Sequence, residues 1–346
     1  MKRRVGGIDG SGKGVCLEQE VPELQKGQVG VSVRASLISP GTELGGVKGM
    51  RENPDPGKEP RIFGYANAGV VAAVGAGVEQ FTVGQEVACM GGGYALHTDY
   101  ACVPQNMCVA VPEGVSMEEA SSAHLAATAL QAIRRAEPQF GENCMVMGLG
   151  LVGQMSAQLA QLCGCHSLGV DRFPLRVEVG RKTGIEKVID AAAEDPVEVA
   201  AAFTGGYGMD FGIIAFGGDG TPAFEQIYQS LKLTPDTHRM GRIVIVGGAN
   251  ISHGFAASLG NVDVRSSART GPGYHDEEYE HGREYPRVFV EWDTQRNLAE
   301  CLRAVADGRL KVKPLITHEI PLEKIGEAID LLVEEPQKGM GVVLKP

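Results

Sequence analysis

The sequence predicts an α/β protein of two domains: a doubly wound parallel sheet in the middle of the chain and a partly open β barrel built mainly by the N-terminal part. Three observations carry this. At 346 residues the chain exceeds one compact core of ordinary size. From Asn143 onward, apolar strand-like runs alternate with helix-like ones, as right-handed crossovers and a parallel sheet covered on both faces require. Before Pro112, short alternating segments are punctuated by Gly and Pro instead.

Composition narrows the class further. With 43% hydrophobic and 22% charged residues the chain is globular. Its 43 acidic against 32 basic side chains, a net charge of −11, favour solubility and argue against a nucleic-acid partner. The eight cysteines form no paired framework and include no Cys-x-x-Cys, so reduced thiols and a cytoplasmic location are expected. The basic MKRR start is too short, and the segment after it too polar, for a signal peptide. Asn143 to Val170 is uncharged and long enough to suggest a membrane span. Its glycines, glutamines, serines and His166 argue against one, and no membrane partner is expected.

Taken in order, VGVSVRASLI alternates as a strand, ANAGVVAAVG reads as a pair of small-residue strands, and FTVGQEVACM and DYACVPQNMCVAVP follow. The period changes at SMEEASSAHLAATALQAIRRA, one helical stretch with Ser116 and Glu119 as a capping box. Next come a strand at Cys144, a helix from Val152, a strand at Ser167, a helix from Pro174, the strand KVID and a helix near Val197. The strand MDFGIIAF, a helix near Phe224 and the strand RIVIVGG complete the series. A helix from Thr294 to Ala306 and the strand GVVLKP return to the first domain. The domains are thus expected at 1–115 with 290–346, and at 116–289.

The most specific motif is GLGLVGQ. Gly148, Gly150 and Gly153 form Gly-x-Gly-x-x-Gly between strand and helix, and Asp171 ends the next strand, HSLGVD. Glycines at this spacing permit a tight turn and close approach of backbone to a pyrophosphate on the helix N-terminus. An acid about 20 residues on accepts the adenosine ribose hydroxyls. A Gly-rich turn alone has a structural reading; the acid in register makes it a dinucleotide site. Asp171 disfavours a 2′-phosphate by like-charge repulsion, so NAD is expected over NADP.

VGAGVEQFTVGQEV, VPEGVSMEEAS, ATALQAI, MGLGLVGQMSAQLA, GVDRFPLR and PLITHEIPLEKIGEAID resemble the medium-chain dehydrogenase/reductase (alcohol dehydrogenase-like) superfamily over essentially the whole chain. SLISPGTELGG and IFGYANAGVV resemble its divergent branch of bacteriochlorophyllide-type and sugar-linked dehydrogenases. The resemblance implies a GroES-like catalytic domain, a Rossmann domain, a nicotinamide in the cleft between them, and homodimers or homotetramers. It implies that Val152 and Thr128 touch the nicotinamide and that Arg176 lies near the adenosine ribose. Arg172 either stacks on adenine or admits a 2′-phosphate. Leu151, Gly217 and Gly247 are placed with the cofactor residues.

The chain departs from the zinc-dependent members. Where they carry Cys it reads ISPGTE, and their Gly-His-Glu is Gly64, Tyr65 and Ala66; only His124 falls on a ligand position. The cysteines of their structural zinc lobe are replaced by GGGYALHTDY. A catalytic zinc needs three converging donors. Zinc is therefore not expected, the alternative being a rebuilt site from Glu43, His97 and His124. Without metal, the proton is assigned to Thr42, where relatives keep a relay hydroxyl, and His97, with Glu43 and Tyr65 beside them. Each has a structural reading too: Thr42 ends a turn, Glu43 salt-bridges, Tyr65 fills the zinc space, His97 holds a loop. The segment TGPGYHDEEYEHGREYP is either a lid over a hydroxyl-rich ligand or a subunit interface.

The expected function is NAD-dependent oxidation of a secondary alcohol of a sugar, polyol or glycoside, or reduction of the ketone. The alternatives are a zinc-free NADPH-dependent quinone or enoyl reductase, a zinc enzyme with rebuilt ligands, and a non-catalytic dinucleotide-binding protein.

Overall fold

The computed structural model describes residues 1–254 and 257–346. It forms two compact units, Met1–Ala127 with Thr270–Pro346, and Thr128–Arg269. The expected boundaries at 115/116 and 289/290 both shift, for physical reasons. Helix Met117–Ala120 packs on the barrel strands Gln28–Leu37, Ala66–Val74 and Glu86–Met90. Segment 270–289 is tied to the first unit by buried bonds: Asn297 Nδ2 donates to the Thr270 carbonyl, and Asn106 Nδ2 to that of Tyr279.

In the first unit, Gln28–Leu37 is the central strand. It pairs with Ala66–Val74 along one side and, along the other, with Tyr100–Pro104 at its start and Gly341–Lys345 at its end. Glu86–Met90 and Cys108–Ala110 extend the sheet one way and Ile316–Pro321 the other. Register shifts at Gly30/Val31 and Val33/Ala35 bend the strand, as bulges do in curved sheets. A three-stranded sheet, Gly14–Glu20, Lys2–Ile8 and Arg61–Ile62, completes the unit. ANAGVVAAVG is one strand, not a pair. Its small residues allow a close neighbour, since a Cβ on Gly69 would strike the backbone of Ser32.

The stretch read as one helix is two, Met117–Ala120 and Ala123–Ala136. The Ser121 and Ser122 hydroxyls bond back to the Glu118 and Glu119 carbonyls, competing with the helical ladder between them. The Ser116–Glu119 capping box is present. Ile8, Ile38, Leu44, Val47, Phe63 and Ile329 share one apolar core. Burial of Leu44 and Val47 there anchors the short helix Pro40–Glu43, which carries Thr42 and Glu43.

The second unit is a Rossmann sheet. Its parallel strands run Lys187–Asp190, His166–Asp171, Asn143–Met147, Phe211–Ile214, Arg239–Val246 and Asn261–Ser267, with Lys232–Leu233 antiparallel beside Arg239–Val246. Strand order reverses between Asn143–Met147 and Phe211–Ile214, the switch point at which ligands bind such sheets. Helix Leu151–Leu162 starts there, directly after Gly150.

Candidate active site and dinucleotide cradle

In the second unit the glycine turn is built for a phosphate. Gly148 has φ +91°, left-handed backbone that favours glycine. A Cβ on Gly153 would collide with the Gly148 carbonyl, so this glycine closes the turn. A Cβ on Gly150 would meet nothing within 4 Å. Packing does not require glycine there; open space lies above the first turn of the helix, where N–H groups are unpaired. Leu151 is buried and Val152 half-buried behind it. Gly247, with φ +96°, and Gly217 end the two strands beyond the switch point, and a Cβ on either would have no neighbour nearer than 3.8 Å.

Asp171 is held firmly. Its Oδ2 accepts from the Leu149 N–H (2.7 Å) and its Oδ1 from the Phe173 N–H (2.9 Å), with the Arg176 guanidinium 3.5 Å away. Arg172 and Arg176 both lie over the Phe173 ring, at 5.1 and 4.6 Å. Carboxylate, aromatic face and two guanidinium groups thus form one cluster beside the turn. These residues fit a dinucleotide: Gly148 to Gly153 would hold the pyrophosphate and Asp171 the ribose. Thr128 lies one helical turn after His124 on helix Ala123–Ala136, on the same face.

The proton-handling candidates assemble in the first unit. The Ser39 N–H donates to Glu43 Oε2 (2.6 Å). Glu43 Oε1 lies 3.3 Å from His97 Nε2, and neither atom has another hydrogen-bonding partner. Two lone pairs facing at that distance would repel. A proton on Nε2 removes the clash and makes the Ser36 hydroxyl the donor to Nδ1, at 2.9 Å.

His97 is fully buried, so a proton reaches it only through neighbouring groups. The cause is its backbone. The His97 N–H donates to the Phe63 carbonyl and its carbonyl accepts from Gly6, which knits GGGYALHTDY inward instead of leaving it a loop. Gly64, with φ +130°, permits this approach, since a Cβ there would strike the His97 nitrogen.

Tyr65 is half-buried, and its hydroxyl interacts with both the exposed Thr42 and Glu43 of the buried pair. Burial and the nearby Glu43 carboxylate raise its pKa, while hydrogen bonds with the Ser39 and Thr42 hydroxyls oppose the rise. His124 Nδ1 is 2.9 Å from the Tyr65 carbonyl, and the rings are 4.3 Å apart. Burial pushes the His124 pKa down to about 4, so the ring is neutral and its Nδ1–H donates to that carbonyl.

The cluster also draws in residues that the sequence placed in the lid-or-interface segment and in the glycine-rich stretch, not beside His124. Tyr274 sets its ring edge-on to His124 at 6.2 Å and accepts from the Gly92 N–H at 2.6 Å. Tyr94 hydrogen-bonds the buried Glu280 carboxylate. The aromatic density of TGPGYHDEEYEHGREYP signals Tyr274 with Tyr279 and Tyr285, but nothing local tells which of the three meets His124.

The donor chemistry does not suit zinc. Ser39 and Pro40 bring no soft ligand, and Tyr65 replaces an imidazole. Glu43, His97 and His124 do not converge: among the described residues no group of three His, Cys, Asp or Glu side chains is arranged to hold a metal ion.

Comparison with known proteins agrees with both units. Residues 25–113 match the alcohol dehydrogenase GroES-like domain and residues 152–281 the zinc-binding dehydrogenase family. Sorbitol dehydrogenase of Bacillus subtilis is 29% identical over 255 residues, 66% of this chain and 70% of its own. L-threonine 3-dehydrogenase of Bacillus velezensis is 25% identical over 342 residues, 91% of each chain. In fold, the chain is similar to an Escherichia coli oxidoreductase/dehydrogenase of unknown specificity (TM-score 0.80, 21% identity, 100% and 99% covered) and to an alcohol dehydrogenase from Thermus sp. ATN1 (TM-score 0.77, 20% identity, 99% of each covered). The chain belongs to the medium-chain dehydrogenase/reductase superfamily, as an oxidoreductase of alcohol-dehydrogenase type.

Proposed function

We propose that this protein is an NAD-linked, zinc-independent dehydrogenase that oxidises a secondary alcohol of a sugar, polyol or glycoside. The observation that carries the reading is the buried Glu43–His97 pair behind a hydroxyl chain that ends at the exposed Thr42. Bound nicotinamide supplies the hydride acceptor. Thr42 takes the alcohol proton as the C–H bond breaks and passes its own to the Tyr65 hydroxyl. Tyr65 passes its hydroxyl proton to the Glu43 carboxylate, which becomes the neutral acid while the Ser39 N–H and the His97 ring keep it in place. One proton and one hydride leave the alcohol, and the carbonyl is the product. Tyr65 is too weak an acid to be the resting base itself, which leaves that role to the Glu43–His97 pair. The Asp171 carboxylate supports NAD over NADP, and the name of the sorbitol dehydrogenase relative supports a polyol.

The test is turnover of a panel of polyols, sugars and simple alcohols with NAD and NADP, alongside elemental analysis. The expected result is NAD-linked oxidation by protein without stoichiometric zinc. About one zinc per chain, with activity lost on chelation, would move the chemistry to a Lewis acid and end this reading.

A further inference from the structure

We infer that the segment around Tyr274 is a fixed wall of the catalytic unit, and that the Tyr274 hydroxyl is a specificity group that hydrogen-bonds a second hydroxyl of the substrate. The wall is latched twice to the glycine loop 91–94. Tyr274 accepts the Gly92 N–H, and Glu280 takes both the His275 N–H (2.8 Å) and the Tyr94 hydroxyl. His275 has φ +74°, a backbone region that a non-glycine residue keeps only when its surroundings impose it. Here Glu280, buried and 4% exposed, supplies that constraint. Behind the wall, buried Tyr279 stacks on Tyr285 at 4.9 Å, and the Tyr285 hydroxyl donates to Asp276 (2.6 Å). A lid that opened would have to break these contacts together.

Tyr274 and Tyr65 pack against the same imidazole, that of His124. The Tyr274 hydroxyl, held by Gly92, is also among the groups that act electrostatically on the Tyr65 hydroxyl, which puts it in the neighbourhood of the hydroxyl chain. A substrate whose reacting hydroxyl meets Thr42 offers an adjacent hydroxyl to Tyr274, so the favoured class is a vicinal diol, ring or open, over a simple alcohol. This part rests on the dehydrogenase reading above.

The experiment has two arms. Hydrogen exchange on the unliganded protein should show the Gly92 and His275 amides protected, and Tyr274→Phe should release Gly92 selectively. Exchange of both at solvent rates in the wild type would make the segment a mobile lid and overturn the wall. In kinetics, kcat/KM for trans-1,2-cyclohexanediol should exceed that for cyclohexanol. Tyr274→Phe should lower the ratio of the diol to the cyclohexanol value roughly tenfold, as loss of one hydrogen bond to the second hydroxyl does. A diol preference unaltered in Tyr274→Phe refutes the specificity role alone. Turnover of neither alcohol by the wild type sinks the dehydrogenase reading and the specificity role with it, while the exchange arm still decides between wall and lid.

Discussion

The candidate dinucleotide cradle is made of backbone and absence of side chain, whereas the proposed proton-handling cluster is made of side chains packed against one another. In the cradle, Gly148, Gly150 and Gly153 lie within one turn, and the Asp171 carboxylate that braces them is 22 residues beyond its partner Leu149. The cluster draws Ser36, Glu43, Tyr65, His97, His124 and Tyr274 from separate strands, helices and loops. A cradle of the first kind tolerates varied neighbours, because its ligands are N–H groups that every residue but proline possesses. The second kind depends on each identity, since a buried polar atom that loses its partner is costly.

The sharpest way to break that contrast is to separate two glycines of the same turn. Gly153→Ala drives a methyl into the Gly148 carbonyl and should cost on the order of 4 kcal/mol or more, read as lost soluble protein or a large fall in Tm. Gly150→Ala enters open space at an ordinary φ of −69°, so Tm should shift little while NADH affinity falls at least tenfold. Equal affinity in Gly150→Ala would mean that the cofactor does not approach this turn.

Acid titration probes the cluster. His124 titrates near 6.5 when unfolded and near 4 when folded, so the unfolded chain binds the extra proton first. Stability is complete above about pH 6.5 and is lost as pH falls toward 4, by on the order of 2–3 kcal/mol from this group. Denaturant midpoints measured across that range check it. A curve for His124→Gln with the same pH slope would show that His124 is not the group responsible.

The smallest expected effect is on cofactor choice. Asp171→Asn keeps an acceptor for only one of the Leu149 and Phe173 N–H groups and removes the charge, and should narrow the NADH-over-NADPH preference by roughly 1 kcal/mol. Fluorescence titration with both cofactors measures it. Tighter NADPH binding to the wild type would mean that Arg172 and Arg176 dominate the site.

What could be read in advance follows the same divide. The glycine turn, the acid after HSLGVD, the Ser116 capping box and the alternating strands and helices are short-range patterns, and the structure holds them where the chain placed them. Strand Asn261–Ser267 escaped notice because NVDVRSS carries charge and little apolar weight, although it pairs along Arg239–Val246. His97 looked like a loop residue among glycines and is instead fully buried, because strand pairing on both sides of it is a tertiary event. The pairing of Glu43 with His97, and of Tyr274 with Gly92, joins positions that no spacing rule connects. Thr42, Glu43, Tyr65 and His97 were each singled out, but their order from surface to interior emerged only from the packing.

The measurement closest to the central claim is kcat for Glu43→Gln in alcohol oxidation, set against its Kd for NADH. Glutamine keeps the shape and an acceptor for Ser39 but cannot take the proton. The relay predicts a fall in kcat on the order of 10²–10⁴, the range of general acid–base catalysis, with NADH affinity unchanged and Tm lowered only modestly. Wild-type turnover in a folded Glu43→Gln protein would contradict it, leaving Glu43 and His97 as structure and the proton to another route.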